Sequence, residues 1–101
     1  MIERSPYVIL LHKIRELYDV KVNCYHHQSQ PTVTIGVDNK FEYRVVLSVE
    51  IKIAGNWFGQ YRVLGTVTDD DRYTGTEYAK YIALQTAIIE IEIASGQTIM
   101  N

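Results

Sequence analysis

The segment TGTEYAKYIALQTAIIEIEIAS, from Thr74 to Ser95, combines two apolar periods. In its first part, Ala79, Ala83 and Ala87 recur every four residues, as they would on one side of a helix. Its last part contains IIEIEI, an alternation that is typical of a strand. The fold depends on which of the two periods prevails.

The start of this segment favours a helix. Thr74 and Glu77 are spaced as in a capping box, in which each side chain satisfies a backbone N–H group of the first turn. The alanine, leucine, glutamine and glutamate residues that follow have high helix propensity. The sequence therefore predicts a helix from Thr74 to at least Ile89, with Ile89 to Ile93 not paired as a strand.

The apolar residues of this helix form two stripes on a helical projection. The first stripe combines small residues with isoleucines: Ala79, Ala83, Ala87, Ile82, Ile89 and Ile93. Because small residues allow close approach, we expect it to cover the sheet. The second stripe consists of Tyr81, Leu84, Ile88 and Ile91. It either packs against another helix or forms an exposed interface for a protein partner, in which case symmetric pairing of two stripes would make a homodimer.

The sequence upstream predicts one more helix and a long hairpin. Ser5-Pro6 starts the helix, because serine caps free N–H groups and proline lacks the N–H that would need a partner. Its apolar face consists of Tyr7, Leu10, Leu11, Ile14, Leu17 and Tyr18. The odd-numbered residues from Phe41 to Ile53 are apolar, which predicts a strand with one buried face. A turn at Ala54 to Asn56 leads into a partner strand, Trp57 to Thr68. Its predicted apolar face contains Tyr61, Val63 and Val67.

Two shorter strands are predicted between the first helix and the hairpin. Val20 to Tyr25 alternates apolar and polar residues, and Val33 to Val37 does so after the turn-like stretch Gln28 to Pro31. Asp38-Asn39 predicts a further turn. The complete pattern is α+β, in the order α-β-β-β(-β)-α, with two helices packed on one face of an antiparallel sheet. A chain of 101 residues fits one domain, residues 1–101.

One motif in the second helix points to a family. Ala79-Lys80-x-x-Ala83-x-x-x-Ala87-Ile88 resembles the second helix of double-stranded-RNA-binding domains, whose pattern is A-K-x-x-A-x-x-x-A-L. The long hairpin also stands where that family has its second and third strands. The resemblance implies this fold and shape-specific binding of double-stranded RNA. The phosphate and 2′-hydroxyl contacts would then be Lys80, Lys13, Arg15 and His12.

The departures from the family pattern favour another function. Thr76 and Glu77 stand where the family has a lysine pair, and Asp69 to Asp71 would repel phosphates. Members of the family that have lost their RNA contacts often serve as dimerisation or docking modules. We therefore expect a non-catalytic interaction module that binds another protein or itself. Weak double-stranded RNA binding is one alternative, and a small viral or phage accessory protein that binds and inhibits a host factor is another.

Signals for catalysis or metal binding are weak. Cys24-x-His26-His27 contains metal-ligand types, but strand alternation sends Cys24 and His26 to one face and His27 to the other, and a second ligand cluster is missing. Asp69 to Asp71 is typical of a solvated turn before a helix. The sequence also lacks a phosphate loop and a nucleophile elbow. We expect no enzyme activity, cofactor or metal.

Composition bounds the possible partners and location. The net charge is −2, so general electrostatic attraction does not draw the chain to nucleic acid. The sequence contains a single cysteine and no secretory signal pattern. No apolar run approaches the roughly 20 residues that span a bilayer. These features predict an intracellular protein, cytoplasmic or nuclear, without a membrane partner.

Overall fold

The computed structural model describes residues 5–32, 40–69 and 72–99. The elements are α1 (Pro6–Arg15), β1 (Val20–Thr32), β2 (Lys40–Ile53), β3 (Asn56–Asp69) and α2 (Arg72–Ser95). Within these residues the strands form one antiparallel sheet in the order β1-β2-β3. The predicted α+β class and the order of its elements are confirmed.

Helix α1 begins where the sequence predicts and ends sooner. The Oγ atom of Ser5 accepts a hydrogen bond from the backbone N–H of Val8 at 3.3 Å, and Pro6 is the first helical residue. Because α1 ends at Arg15, Leu17 leaves the apolar face and is 69% exposed. The prediction that Leu17 belongs to this buried face is wrong. Leu10, Leu11 and Ile14 are buried, as expected.

Strand β1 is a single long strand. The predicted turn at Gln28 to Pro31 is wrong, because antiparallel pairing with β2 continues to Thr32 opposite Lys40. Pro31 is compatible with this arrangement since β1 is an edge strand, where a missing N–H need not break a ladder bond. The predicted strand Val33 to Val37 and the turn Asp38-Asn39 lie outside the described residues.

The alternation along β1 breaks after Cys24. Cys24 pairs with Leu47 and His26 with Val46, so Tyr25 is an extra residue in the ladder. Leu47 and Val46 are neighbours on one strand and therefore belong to opposite faces of the sheet. The regular alternation predicted from Cys24 to His26 is therefore interrupted at Tyr25.

The β2–β3 hairpin confirms the predicted alternation of β2. Its odd-numbered side chains are buried: Tyr43, Val45, Leu47, Val49, Ile51 and Ile53. The turn consists of Ala54 and Gly55, whose φ angles of 51° and 83° are both positive, as a type I′ turn requires. The register between β2 and β3 shifts between Leu47 and Val49 of β2, and Tyr61 of β3 lies at this irregularity. Val63 pairs with Leu47, and Val67 pairs with Tyr43.

Helix α2 runs unbroken through the IIEIEI stretch. It ends at Ser95, followed by Gly96 with a φ of 73°, whose N–H donates to the carbonyl of Glu92. The prediction that Ile89 to Ile93 is not a strand is confirmed. The predicted cap at Thr74 is wrong, because α2 begins at Arg72 and Thr74 already lies inside its first turn.

Both helices contribute to one core with the odd-numbered face of β2. Helix α2 lies directly on β2 and β3, and α1 packs beside it. The contact is close at Gly75, where an added Cβ atom would overlap the ring of Tyr43. After α2, Ile99 returns to the core, and its N–H donates to the carboxylate of Glu92 at 2.6 Å.

Candidate functional site

The second stripe of α2 belongs to the core. Leu84 is 0% exposed, Ile88 1% and Ile91 2%, and they join one cluster with the apolar face of α1. Tyr81 is half-buried at its edge, and its hydroxyl accepts a hydrogen bond from Nε2 of Gln85 at 3.2 Å. The partner interface predicted at Tyr81, Leu84, Ile88 and Ile91 is therefore wrong for the three buried residues, because α1 covers that side of α2.

The first stripe is divided between the inside and the outside of the fold. Ala79, Ala83 and Ala87 are fully buried, as predicted for residues that cover the sheet. In contrast, Ile89 is 53% exposed and Ile93 78% exposed, and Ile82 is half-buried. The prediction that these isoleucines cover the sheet is wrong, since the alanines and the second stripe together already occupy the inner half of the helix.

The exposed Ile89 and Ile93 and the half-buried Ile82 form an apolar surface together with one exposed tyrosine. We call this surface the outer stripe, and it consists of Tyr78, Ile82, Ile89 and Ile93. Tyr78 is 44% exposed, and its ring meets that of Tyr81 edge to face with centroids 5.7 Å apart. The four residues lie on one side of the helix, because their spacings of four, seven and four residues match whole numbers of turns closely.

The middle of the outer stripe is uncharged. Gln85 and Thr86 lie between its two halves, and both are exposed. Thr86 donates its hydroxyl proton to the carbonyl of Ile82 at 2.8 Å, so this polar group is satisfied within the helix. Glu90 and Glu92 flank the stripe near its C-terminal end. Protein interfaces are likewise depleted of charged residues at their centre.

Sequence reasoning missed the outer stripe for a specific reason. It grouped Ile82, Ile89 and Ile93 with the alanines because all six residues are apolar, although Ala87 and Ile89 lie about 200° apart around the helix axis. The signal that separates them is the angle around the helix axis, since the three isoleucines centre about 100° away from the three alanines.

Lys80, the central residue of the predicted RNA site, already has partners. Its Nζ atom lies 3.0 Å from Oε2 of Glu77 and 5.6 Å from the ring centroid of Tyr7 on α1. Burial acts to lower the pKa of Lys80, but the hydrogen bond and the charge of Glu77 outweigh it, so that the pKa is raised. The ammonium group is thus held charged between the two helices.

The other three predicted RNA contacts lie further along α1. His12, Lys13 and Arg15 are exposed in its last turn, where positive charge suits the helix C-terminus. Lys80 contacts Tyr7 in the first turn, and residues 7 and 15 are separated by about 12 Å along the helix axis. The fold places all four residues on or beside α1 without gathering them into one cluster.

The uncovered face of the sheet carries paired cations. Nζ of Lys21 lies 4.4 Å from the ring centroid of Trp57, and Nε of Arg44 lies 2.8 Å from Oε1 of Glu42. Trp57 is 41% exposed, yet the ammonium group occupies one face of its ring. Lys21 and Arg44 therefore already have partners on this face.

Chemical sites elsewhere in the described residues are sparse. Residues 5–32, 40–69 and 72–99 contain no group of three His, Cys, Asp or Glu residues that could hold a metal ion. Beside the α1–β1 connection, a depression of about 350 Å³ is open to solvent, so it would enclose a small ligand only in part. Its lining includes Arg15, Glu16, Asp19 and Lys52.

Neither helix of the described chain has the length and apolarity needed to cross a membrane. Comparison with known proteins finds no matching family model, curated protein or solved structure.

Proposed function

We propose that this chain is a non-catalytic interaction module that binds protein through the outer stripe of α2. One observation carries the proposal: four large apolar or aromatic side chains share one solvent-facing side of a helix, with no charge between them. From Tyr78 to Ile93 the stripe extends about 22 Å, the length of 15 helical residues at 1.5 Å each.

Water is a poor solvent for such a surface. Fully burying one isoleucine side chain stabilises a complex by roughly 1.5–3 kcal/mol, and Ile89 and Ile93 are more than half exposed in the single chain. Docked amphipathic helices use anchors at helical spacing on one face, which is the pattern of the outer stripe. The buried face of α2 meanwhile fixes the helix on the sheet, so little ordering of the backbone is needed on binding.

Weak binding of double-stranded RNA remains the second candidate. Exposed His12, Lys13 and Arg15 favour it, and within the described residues Lys13 and Arg15 form no ion pair. The ion pair of Lys80 with Glu77 counts against RNA binding, because the Lys80 ammonium group would have to leave the Glu77 carboxylate to reach a phosphate. Phosphate contacts alone would also lose affinity steeply as salt increases.

Site-specific photo-crosslinking tests the proposal. A photoreactive amino acid replaces Ile89 on the outer stripe or, as the control, Ala94, which is exposed on another side of the same helix. Crosslinking in the native cells should give a defined protein adduct from position 89 and little from position 94. Equal yields at the two positions, or none at either, would contradict the proposal.

A titration with RNA tests the second candidate. A duplex of roughly 20 base pairs is long enough for a domain that reads RNA by shape. On the protein-binding proposal, its affinity should be negligible even at low salt. Measurable binding at low salt that falls at physiological salt, and that is reduced by Lys13→Ala with Arg15→Ala, would instead support the RNA function.

A further inference from the structure

The spacing of the outer stripe is palindromic. Tyr78 and Ile82 are four residues apart, Ile82 and Ile89 seven, and Ile89 and Ile93 four. The stripe therefore reads the same in both directions about a midpoint between Gln85 and Thr86. A two-fold axis through that midpoint would therefore set each residue of the stripe level with another residue of the stripe in an antiparallel second copy.

We infer that the partner of the outer stripe is a second copy of this chain, with the two α2 helices antiparallel. This inference rests on the proposed function and names the partner. A two-fold axis would pass between Gln85 and Thr86, so that Ile82 lies opposite Ile89 of the second copy. Tyr78 then lies opposite Ile93 of the second copy, and each contact occurs twice.

The charges beside the stripe select the antiparallel direction. In a parallel pair, Glu90 of each copy would lie beside Glu90 of the other, and the Glu92 residues would do the same. In the antiparallel pair, Glu90 lies level with Tyr81 of the second copy. The two Glu90 residues are then about 13 Å apart along the axis, beyond the screening length of about 8 Å at physiological ionic strength.

The centre of the proposed interface also suits self-association. Gln85 and Thr86 would lie at the axis beside the same two residues of the second copy, so no charged residue lies at the centre. Opposed helix dipoles add a small favourable contribution.

The size of the stripe sets the expected strength. It is about 22 Å long and one helix wide, about 10 Å, so its area of roughly 220 Å² is about a quarter of the roughly 800 Å² per partner of a standard interface. We therefore expect a dimer that dissociates on dilution rather than an obligate one.

Two matched double variants test both the partner and the direction. Ile82→Glu with Ile89→Glu places like charges opposite each other in the antiparallel dimer. Ile82→Glu with Ile89→Lys places opposite charges there, while in a parallel dimer it would juxtapose like charges. Both changes lie on the outer side of α2, so circular dichroism should show that both variants fold.

Sedimentation across a concentration series gives the readout. The unchanged protein should self-associate as a dimer. The dimer association constant of the Glu/Glu variant should be at least about tenfold lower than that of the unchanged protein, and that of the Glu/Lys variant at least about tenfold higher than that of the Glu/Glu variant. Added salt should weaken the dimer of the Glu/Lys variant. A monomer at all concentrations would overturn the inference, as would a Glu/Lys variant that associates no better than Glu/Glu.

Crosslinking at position 89 separates the two possible failures. An adduct with a different protein would overturn the homodimer and leave the proposed function standing, in agreement with an accessory factor that binds a host protein. Absence of any adduct at position 89 would overturn both, and an adduct of twice the chain mass supports both.

Discussion

On α2, the inner face is lined with alanines while the outer face carries isoleucines. Ala79, Ala83 and Ala87 are fully buried, whereas Ile89 and Ile93 are more than half exposed. Apolarity alone would place the larger side chains inside, because they gain more from burial. The observed arrangement shows that close approach to the sheet selects small residues, and the larger ones remain available for another surface.

The inner face of α2 also carries larger residues, on the side next to α1. Leu84, Ile88 and Ile91 are buried because α1 leaves room beside α2 that alanines would not fill. The two faces of α2 therefore differ in packing: one holds the domain together and the other is largely exposed to solvent. The changes in α2 described below test this difference.

The largest effect should come from charging the inner face. Leu84→Glu with Ile88→Glu should unfold the domain, since each unpaired buried charge costs several kcal/mol against a total stability of roughly 5–15 kcal/mol. Circular dichroism and thermal melting measure this. The matched change on the outer face, Ile82→Glu with Ile89→Glu, should stay folded. A folded Leu84/Ile88 variant would show that these residues are not core.

Truncation of single isoleucines should give a smaller but clear contrast. Ile91→Ala should lower the free energy of unfolding by about 2–5 kcal/mol, because it leaves a cavity beside α1. Ile93→Ala, two residues further along, should change it by less than about 0.5 kcal/mol when measured on the monomer. Urea denaturation at low protein concentration separates the two. Equal losses would contradict the assignment of inner and outer faces.

Gly75 tests how closely α2 approaches the sheet. In an exposed helix Gly→Ala stabilises by up to about 1 kcal/mol, but here the added methyl group would overlap the ring of Tyr43. Gly75→Ala should therefore destabilise the domain by about 1–3 kcal/mol, as overpacking usually does.

The control for this change removes the ring. In a protein that already carries Tyr43→Leu, Gly75→Ala should be neutral or stabilising, and a double-mutant cycle by denaturation measures the coupling. Additive effects of the two changes would mean that the methyl group does not meet the ring.

The smallest effect is expected where packing plays no part. Ala54 is exposed in the hairpin turn and has a φ of 51°, which is unfavourable for a residue with a Cβ atom other than asparagine or aspartate. Ala54→Asn should raise the free energy of unfolding by about 1 kcal/mol or less. A lower melting temperature would show that the turn does not require this conformation.

Sequence-based predictions were most reliable where the sequence carried a clear helix-start signal or one uninterrupted hydrophobic period. Ser5-Pro6 placed the start of α1, and the uninterrupted alternation from Phe41 to Ile53 placed β2 and its buried face. They were less reliable at boundaries, because Thr74 has the features of a cap but lies within the first turn of α2. The turn predicted at Gln28 to Pro31 failed since pairing with β2 extends β1 through it.

The sequence by itself determined the class of fold and the helical state of Thr74 to Ile89. Both follow from the helix and strand propensities of the residues and from the spacing of the apolar residues, which point to the same secondary structure. Which side of α2 would be buried was decided only by the tertiary structure. The position of α1 and the closeness of the sheet set the space on each side of the helix, and no periodicity within α2 encodes that space. The outer stripe is thus a property of how the elements pack, although every residue in it can be read from the sequence.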